Sequence, residues 1–425
     1  MMRIVRALSI VWLSLLVLIP AHLPAQNSRE VDWDYEIDLL ARELAEKHPD
    51  LFFRTDSSTF FGAMRKVAAE APGKSSFYLA VKLQQVVAKM GDAHTLINYH
   101  FHIDKSLILP METYWFEDGI YITQVDRLYE DALGKKLTAI NGKPLTAVID
   151  SFSTLLVHDN KSVIKYQVPR MLGWTQLLAH FGFSDTEELS LHLEDREGNP
   201  EIIRMSLPVT LGENLRLKPE SMPLGWQDQK AYFRQLYFEE DKIFFIQYNK
   251  CWSREVEEEH GSGASALFMP SFREFEKEVF QTLKKKNVDK IVFDLRYNNG
   301  GHPQQGKDFI EKLHRVKIKG PGKFFLLVGR KTSSEALINA VDYLSYPGVV
   351  VLGEETGGKP NHFGQVRRFV LPESGLIVSH STDYFPLMET DQGSLVPDVI
   401  ALEYMDLFLK GLDPAFEAVR LYLQP

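Results

Sequence analysis

Cysteine is almost absent: Cys251 is the only one in 425 residues. No disulfide can form within the chain, so packing alone has to hold the fold even in an oxidising compartment. Metal-ligand spacing is missing as well. His94, His302, His314, His362 and His380 form no H-E-x-x-H or other dense pattern, which argues against a metal hydrolase. No G-x-S-x-G surrounds a serine, which excludes the usual nucleophile elbow. Positive charge is in short supply, with 48 Lys and Arg against 57 Asp and Glu. A phosphate backbone needs clustered basic residues, so nucleic acid is not an expected partner. Internal repeats and low-complexity segments are also lacking. What remains is a globular composition, 44% hydrophobic and 25% charged, in a chain long enough for two or three domains.

One long apolar run occurs, at the N-terminus. Arg3 and Arg6 precede "ALSIVWLSLLVLI", and "LPAQ" offers Ala25 as a small residue for cleavage. Residues 1–25 therefore read as an export signal, and the expected location is periplasmic or extracellular. Pro20 and Pro24 interrupt the run, which disfavours a stable membrane span; an uncleaved anchor is the alternative.

The periodicity changes twice along the remaining chain. Residues 29–98 hold three helical patterns, "YEIDLLARELAEKH", "STFFGAMRKVAAEA" and "SSFYLAVKLQQVVAKMG", stopped by Pro49, "APG" and Gly91. Residues 105–210 are rich in short β runs. Asn141-Gly142 signals a tight hairpin, a second hairpin turns near Gly198, and "VPRMLGWTQLLAHFG" reads as a helical insertion. The stretch 211–228, with Pro219, Pro223 and Gly225, reads as a linker. From 229 to 425 strands and helices alternate. The runs "IVF", "FFLLV" and "VVVL" lack polar alternation, as strands buried on both faces of a parallel sheet do, so this part is expected to be α/β.

In such a sheet ligands bind beyond the carboxyl ends of the strands. Three segments fall there on successive strands: "YNNGGH", "RKTSSE" and "ETGGKPNH". Ser334, at the start of a helix, would meet unpaired N–H groups. Gly300 and Gly301 allow backbone to approach a substrate and offer N–H groups as an oxyanion hole. Each part has a plain structural reading as well. Thr332-x-x-Glu335 fits a helix capping box, the glycines fit a turn, and Lys359 fits an exposed lysine. A lysine serving as base has to be desolvated enough to lose its proton near neutral pH, a shift of about three units or ~4 kcal/mol.

These motifs resemble the tail-specific, or C-terminal processing, serine peptidases and the related tricorn protease core. "IVFDLRYNNGG", "TSSEA" and "GEETGGK" carry the likeness in the last domain. "KMGDAHT" is similar to the family's N-terminal helical motif, "LGKKLTAINGKPL" to half of its PDZ-like domain, and "VPDVIALEYMDLFLKGLDPAFEAV" to its C-terminal ending. The resemblance implies a ClpP/crotonase-like catalytic domain at 229–425, a PDZ-like domain at 105–210 and a helical domain at 29–98. It implies Ser334 as nucleophile, Lys359 as base, and the N–H groups of Gly300, Gly301 and Glu335 as oxyanion donors, with no metal or cofactor. The substrate would be a protein or peptide taken at its C-terminal region. In tricorn-like members the base is a histidine at the position of His94, with Asp391 or Glu389 as its orienting carboxylate. The chain departs from the family in carrying Glu335 beside the nucleophile and a longer insertion in the PDZ-like part.

Two rivals come from other classes. Gly301 to Lys307 fits the phosphate-loop spacing G-x-x-x-x-G-K, but Asp308 stands where Ser or Thr should hold magnesium. A non-catalytic protein of the same fold, binding peptides or apolar ligands, is the other, since fold does not fix function.

Overall fold

The computed structural model describes residues 31–184, 188–206, 212–316 and 322–422; the expected export signal lies outside them. Three helices lead, Trp33–Lys47, Ser57–Glu70 and Ser76–Ala88. Each begins behind a side chain that accepts from a first-turn N–H, at Asp32, Asp56 and Ser75, which satisfies donors a helix start leaves unpaired. Ile37, Leu40, Ala41 and Leu44 are buried along one stripe, as their spacing predicts. The third helix is buried on most sides, at Leu79, Ala80, Val81, Leu83 and Val87.

An antiparallel layer follows. It runs Met111–Phe116, Gly119–Asp126, Lys136–Ile140, Glu188–Glu194 and Pro200–Ser206 in spatial order. Asn141 and Gly142, at φ 49° and 70°, turn Lys136–Ile140 back onto Lys143–Pro144; two left-handed residues are what a tight hairpin needs. The helical insertion is two helices, Lys161–Met171 and Thr175–His180. It breaks between them because the carbonyl of Gly173 accepts from the Leu109 N–H at 2.8 Å instead of from a helical partner. The stretch expected as a linker is bound into the structure. Asn214–Arg216 pairs with Gly119–Asp126, and Trp226 packs on Phe116 and Phe408. The leading helices and this layer share one hydrophobic core, which also takes in Leu371, Leu376 and Val378 from near the C-terminus.

The last part is a six-stranded sheet in the order Val399–Ile400, Val350–Gly353, Lys323–Val328, Lys290–Asp294, Ile243–Tyr248, Phe233–Phe238. All neighbours are parallel except the Phe233–Phe238 edge. Every residue of Ile243–Tyr248 is buried, because helices cover both faces. Phe244 and Ile246 join the core under the helices Phe272–Lys285, Pro303–His314 and Glu335–Leu344. Ile243 and Phe245 join the opposite core under Pro414–Leu421. That last helix is tied to the sheet by Arg296, which pairs with Asp294 at 2.8 Å and Asp413 at 2.7 Å, all three buried. Breaking one arm of such a buried pair leaves an uncompensated charge.

Candidate active site

The loops after Lys290–Asp294, Lys323–Val328 and Val350–Gly353 meet at one sheet edge, where they line a cavity of about 600 Å3. The capping box does not form. Thr332 Oγ1 accepts from the Gly329 N–H at 3.0 Å and donates to the Leu295 carbonyl at 2.8 Å, so it braces one loop against the next. Ser334 precedes the helix at φ 55°, ψ −133°, and its side chain makes no capping bond. A non-glycine residue held in this region costs about 1–3 kcal/mol and persists only where its surroundings enforce it. The hydroxyl caps no N–H of the helix and bonds the Glu335 side chain instead.

That hydroxyl meets His94: Nε2 stands 3.1 Å from Ser334 Oγ. His94 lies in the turn between Ser76–Ala88 and the short strand Leu96–Ile97, which pairs with Ile377–His380. Asp92 shapes the turn. Its buried carboxylate accepts from the His94 N–H at 2.9 Å, faces His48 Nε2 at 3.1 Å, and accepts from the hydroxyls of Thr95 and Ser381. Burial pushes the Asp92 carboxyl up, but the His48 contact, the charge of His94 and the Ser381 and Thr95 hydroxyls outweigh it and hold the group at about 2. His94 Nδ1 is buried, has no hydrogen-bond partner, and lies 3.8 Å from Asp92 Oδ1. A small rotation would close that gap to bonding distance. The ring of His362 stacks on His94 with centroids 5.8 Å apart.

Lys359 lines the same cavity, but its Nζ pairs with Asp391 at 3.3 Å. Of the two bases the sequence offers, His94 reaches the hydroxyl and Lys359 faces Asp391. Asp391 is engaged by Lys359 and Glu389 is exposed; the carboxylate beside His94 is Asp92. It sits in the quoted "KMGDAHT", and an acid two residues before a turn histidine was the signal available for it.

The expected oxyanion donors divide. The Gly300 N–H donates to Asn298 Oδ1 at 2.9 Å. The Gly301 N–H points into the site and donates to Glu335 Oε2 at 2.9 Å. Among the described residues no acceptor takes the Glu335 N–H. Glycine is required at both loop positions, with φ 105° and 140°. A Cβ on Gly300 would strike the Glu335 carboxylate, and one on Gly301 would strike the Cys251 carbonyl. Cys251 backs this loop: its N–H donates to the Gly300 carbonyl at 3.1 Å, and its carbonyl accepts from the His302 N–H at 2.7 Å. Burial pushes its thiol up to about 12, so it packs and does not react. Gly306 of the phosphate-loop spacing is packed against the Asn339 side chain and serves helix contact.

Glu335 Oε2 accepts from Ser334 Oγ at 2.6 Å as well as from Gly301. A hydroxyl has one proton, and here it is directed at Glu335, so it has to turn toward His94 Nε2 before that nitrogen can accept it. The arrangement brings together a hydroxyl, an imidazole, a buried orienting acid and two N–H groups, with a carboxylate resting among them.

No protein-family model matches the chain, and no curated protein matches its sequence. Solved structures do match. Mature CPAF complexed with lactacystin aligns at a TM-score of 0.64 and 11% identity, over 92% of this chain and 97% of that one. Mature CPAF aligns at 0.62 and 11% identity, over 92% and 96%. The photosystem II D1 C-terminal processing protease aligns at 0.39 and 12% identity, over 88% and 93%. At 11% identity the likeness to CPAF is one of fold, and it runs through every layer of the molecule. The fold of mature CPAF is thus shared over 92% of this chain.

Proposed function

We propose that this chain is an exported serine endopeptidase of the C-terminal processing type, with Ser334 as nucleophile and His94 as general base. The observation that carries the reading is the 3.1 Å separation of His94 Nε2 and Ser334 Oγ, joined by two residues 240 positions apart in sequence. Proton transfer needs this reach before any question of acidity arises. Glu335 first withdraws its carboxylate. Ser334 Oγ then bonds to the peptide carbonyl carbon as its proton passes to His94 Nε2, and the carbonyl oxygen takes the charge. The N–H groups of Gly301 and Glu335 hold that oxygen. His94 returns the proton to the departing amine as the C–N bond breaks, and water releases the acyl group by the same steps in reverse order. Asp92 holds the turn that carries the imidazole, through its bond from the His94 N–H.

The test is labelling by a fluorophosphonate, read by intact mass and mapped by peptide sequencing. The expected result is one adduct, on Ser334, absent from Ser334→Ala, together with casein hydrolysis that the same substitution removes. Lactacystin, with which mature CPAF forms a complex, serves as a second probe. Peptidase activity undiminished in Ser334→Ala overturns the assignment. A second reading, a non-catalytic peptide-binding protein, draws on the Glu335 carboxylate resting on the hydroxyl; it predicts no adduct at Ser334 even where Glu335 has been removed.

A further inference from the structure

Beside the active cleft lies a second cavity of about 470 Å3, between the antiparallel layer and the six-stranded sheet. The two cavities share Tyr166, Arg170, Trp174, Arg330 and Lys331, so these side chains form the neck between them. Three of the five are cations, in a protein whose formal charge is −9.

Their partners differ. Arg330 is neutralised by Glu354 through bonds of 2.6 and 2.5 Å. Arg170, exposed at the rim, bonds the Tyr166 hydroxyl at 3.0 Å and lies over its ring, and among the described residues no acid pairs with it. The half-buried amine of Lys331 has no hydrogen-bond or ion-pair partner among the described residues. Burial, with the nearby charges of Lys250 and Arg170, brings it down to about 8. The acids around the neck are engaged elsewhere. In the second cavity Glu403 accepts from Tyr114 and Trp226, and Glu112 is exposed. In the cleft Asp92 faces His48, and Asp159 pairs with Arg54.

Like charges gathered in a concave, partly dry place repel each other and raise the cost of desolvation, and an incoming anion removes both penalties. Lys331 is on the same loop as Ser334, and both line the cleft. Resting on the peptidase reading, the anions available to this site are carboxylates: an Asp or Glu side chain, or the C-terminus of the peptide. The planar fork of arginine suits a carboxylate, and a lysine adds a mobile donor.

We propose that Lys331 and Arg170 form a carboxylate-binding subsite beside Ser334, which selects peptides by an acidic group held at the neck between the two cavities. The subsite acts on binding, and the bond-breaking groups are those already described.

The experiment uses the full chain carrying Ser334→Ala and short fluorescein-labelled peptides in four versions, with Glu or Gln inside and a free or amidated C-terminus. Fluorescence anisotropy is expected to show a carboxylate-bearing version bound about tenfold tighter than its neutral counterpart. The pair that shows the contrast identifies the source of the carboxylate. Lys331→Met on the same background removes the preference, Arg170→Gln weakens it, and Lys331→Arg retains it. In the Ser334 enzyme the same contrast falls on KM, with kcat little changed. Equal binding of all four versions overturns the subsite, as does a preference that survives Lys331→Met. The four-peptide comparison needs no variant at the neck, so a misfolded substitution does not blunt it. Cleavage without preference sinks the subsite alone, and preference without cleavage sinks only the peptidase reading.

Discussion

The carboxylate of Glu335 accepts from the Ser334 hydroxyl at 2.6 Å and from the Gly301 N–H at 2.9 Å. In the proposed mechanism it occupies the position a substrate oxyanion would need, and a substrate has to displace it. Hydrogen bonds to a charged acceptor are worth about 1.5–3 kcal/mol each. Glu335→Ala is expected to speed fluorophosphonate labelling of Ser334 by about ten- to hundredfold, which follows from removing one such bond. Glu335→Gln, which keeps an acceptor of lower charge, should fall between. The sign of the change is the measurement that matters. Slower labelling in Glu335→Ala would make the carboxylate a participant in proton transfer and not an obstacle.

His94 and Lys359 make opposite forecasts. Removing the imidazole in His94→Ala is expected to lower kcat by about 10²–10⁴-fold, the usual contribution of a positioned acid–base group. Lys359→Met disturbs a pair whose acid, Asp391, is exposed, so hydrolysis should change by less than about threefold. A kinetic comparison of the two variants on one peptide checks this; comparable losses would return the lysine to the mechanism. Asp92→Asn should both slow hydrolysis and destabilise the chain by about 1–3 kcal/mol, since it disrupts a buried acceptor that several donors share.

Backbone strain at Ser334 can be separated from its chemistry. Ser334→Ala and Ser334→Gly both lose the hydroxyl, but only glycine is at ease at φ 55°, ψ −133°. In urea denaturation the glycine variant is expected to be more stable than the alanine variant by about 1–2 kcal/mol. Equal stabilities would mean that the turn is not strained.

The contrast between what was and was not legible follows physical range. The unalternated runs of Lys290–Asp294, Lys323–Val328 and Val350–Gly353 announced buried parallel strands, and one rule of sheet topology then placed Ser334 and the Gly300-Gly301 pair on the same edge. Asn141-Gly142 announced its own turn, because both residues adopt a conformation few others accept. The capping box misled, since the same Thr–Glu spacing holds whether Thr332 caps a helix or braces Leu295. The choice of base was illegible for another reason. Lys359 and His94 both line the cleft, and which one faces the hydroxyl depends on how a turn from the helical part docks, through Leu96–Ile97, on the strand Ile377–His380. The break in the insertion turned on one long-range bond, from Leu109 to the Gly173 carbonyl. Nothing in the local sequence encodes that bond.

Two histidines far from the cleft set an acid limit on stability. His314 is wedged between rings, stacked on Tyr346 at 3.8 Å and near Phe324 at 4.3 Å, and its buried Nε2 has no hydrogen-bond partner. His180 lies between Tyr78 and Phe181, with Nδ1 buried and unpartnered. Burial lowers both imidazoles to about 4, with Lys82 adding to the effect at His180. The unfolded chain titrates these groups near the ordinary value of about 6.5, so between pH 6.5 and 4 it binds more protons than the folded chain. Stability from these sites is thus whole above pH 6.5 and is lost as pH falls toward 4. At pH 5 unfolding should take up nearly one proton at each site, or about two in all. Urea midpoints measured from pH 7 to 4 give this uptake as a slope. His314→Phe, which keeps the stacking and removes the titration, is expected to lower the uptake at pH 5 by nearly one proton; an unchanged slope would place the proton uptake on other groups.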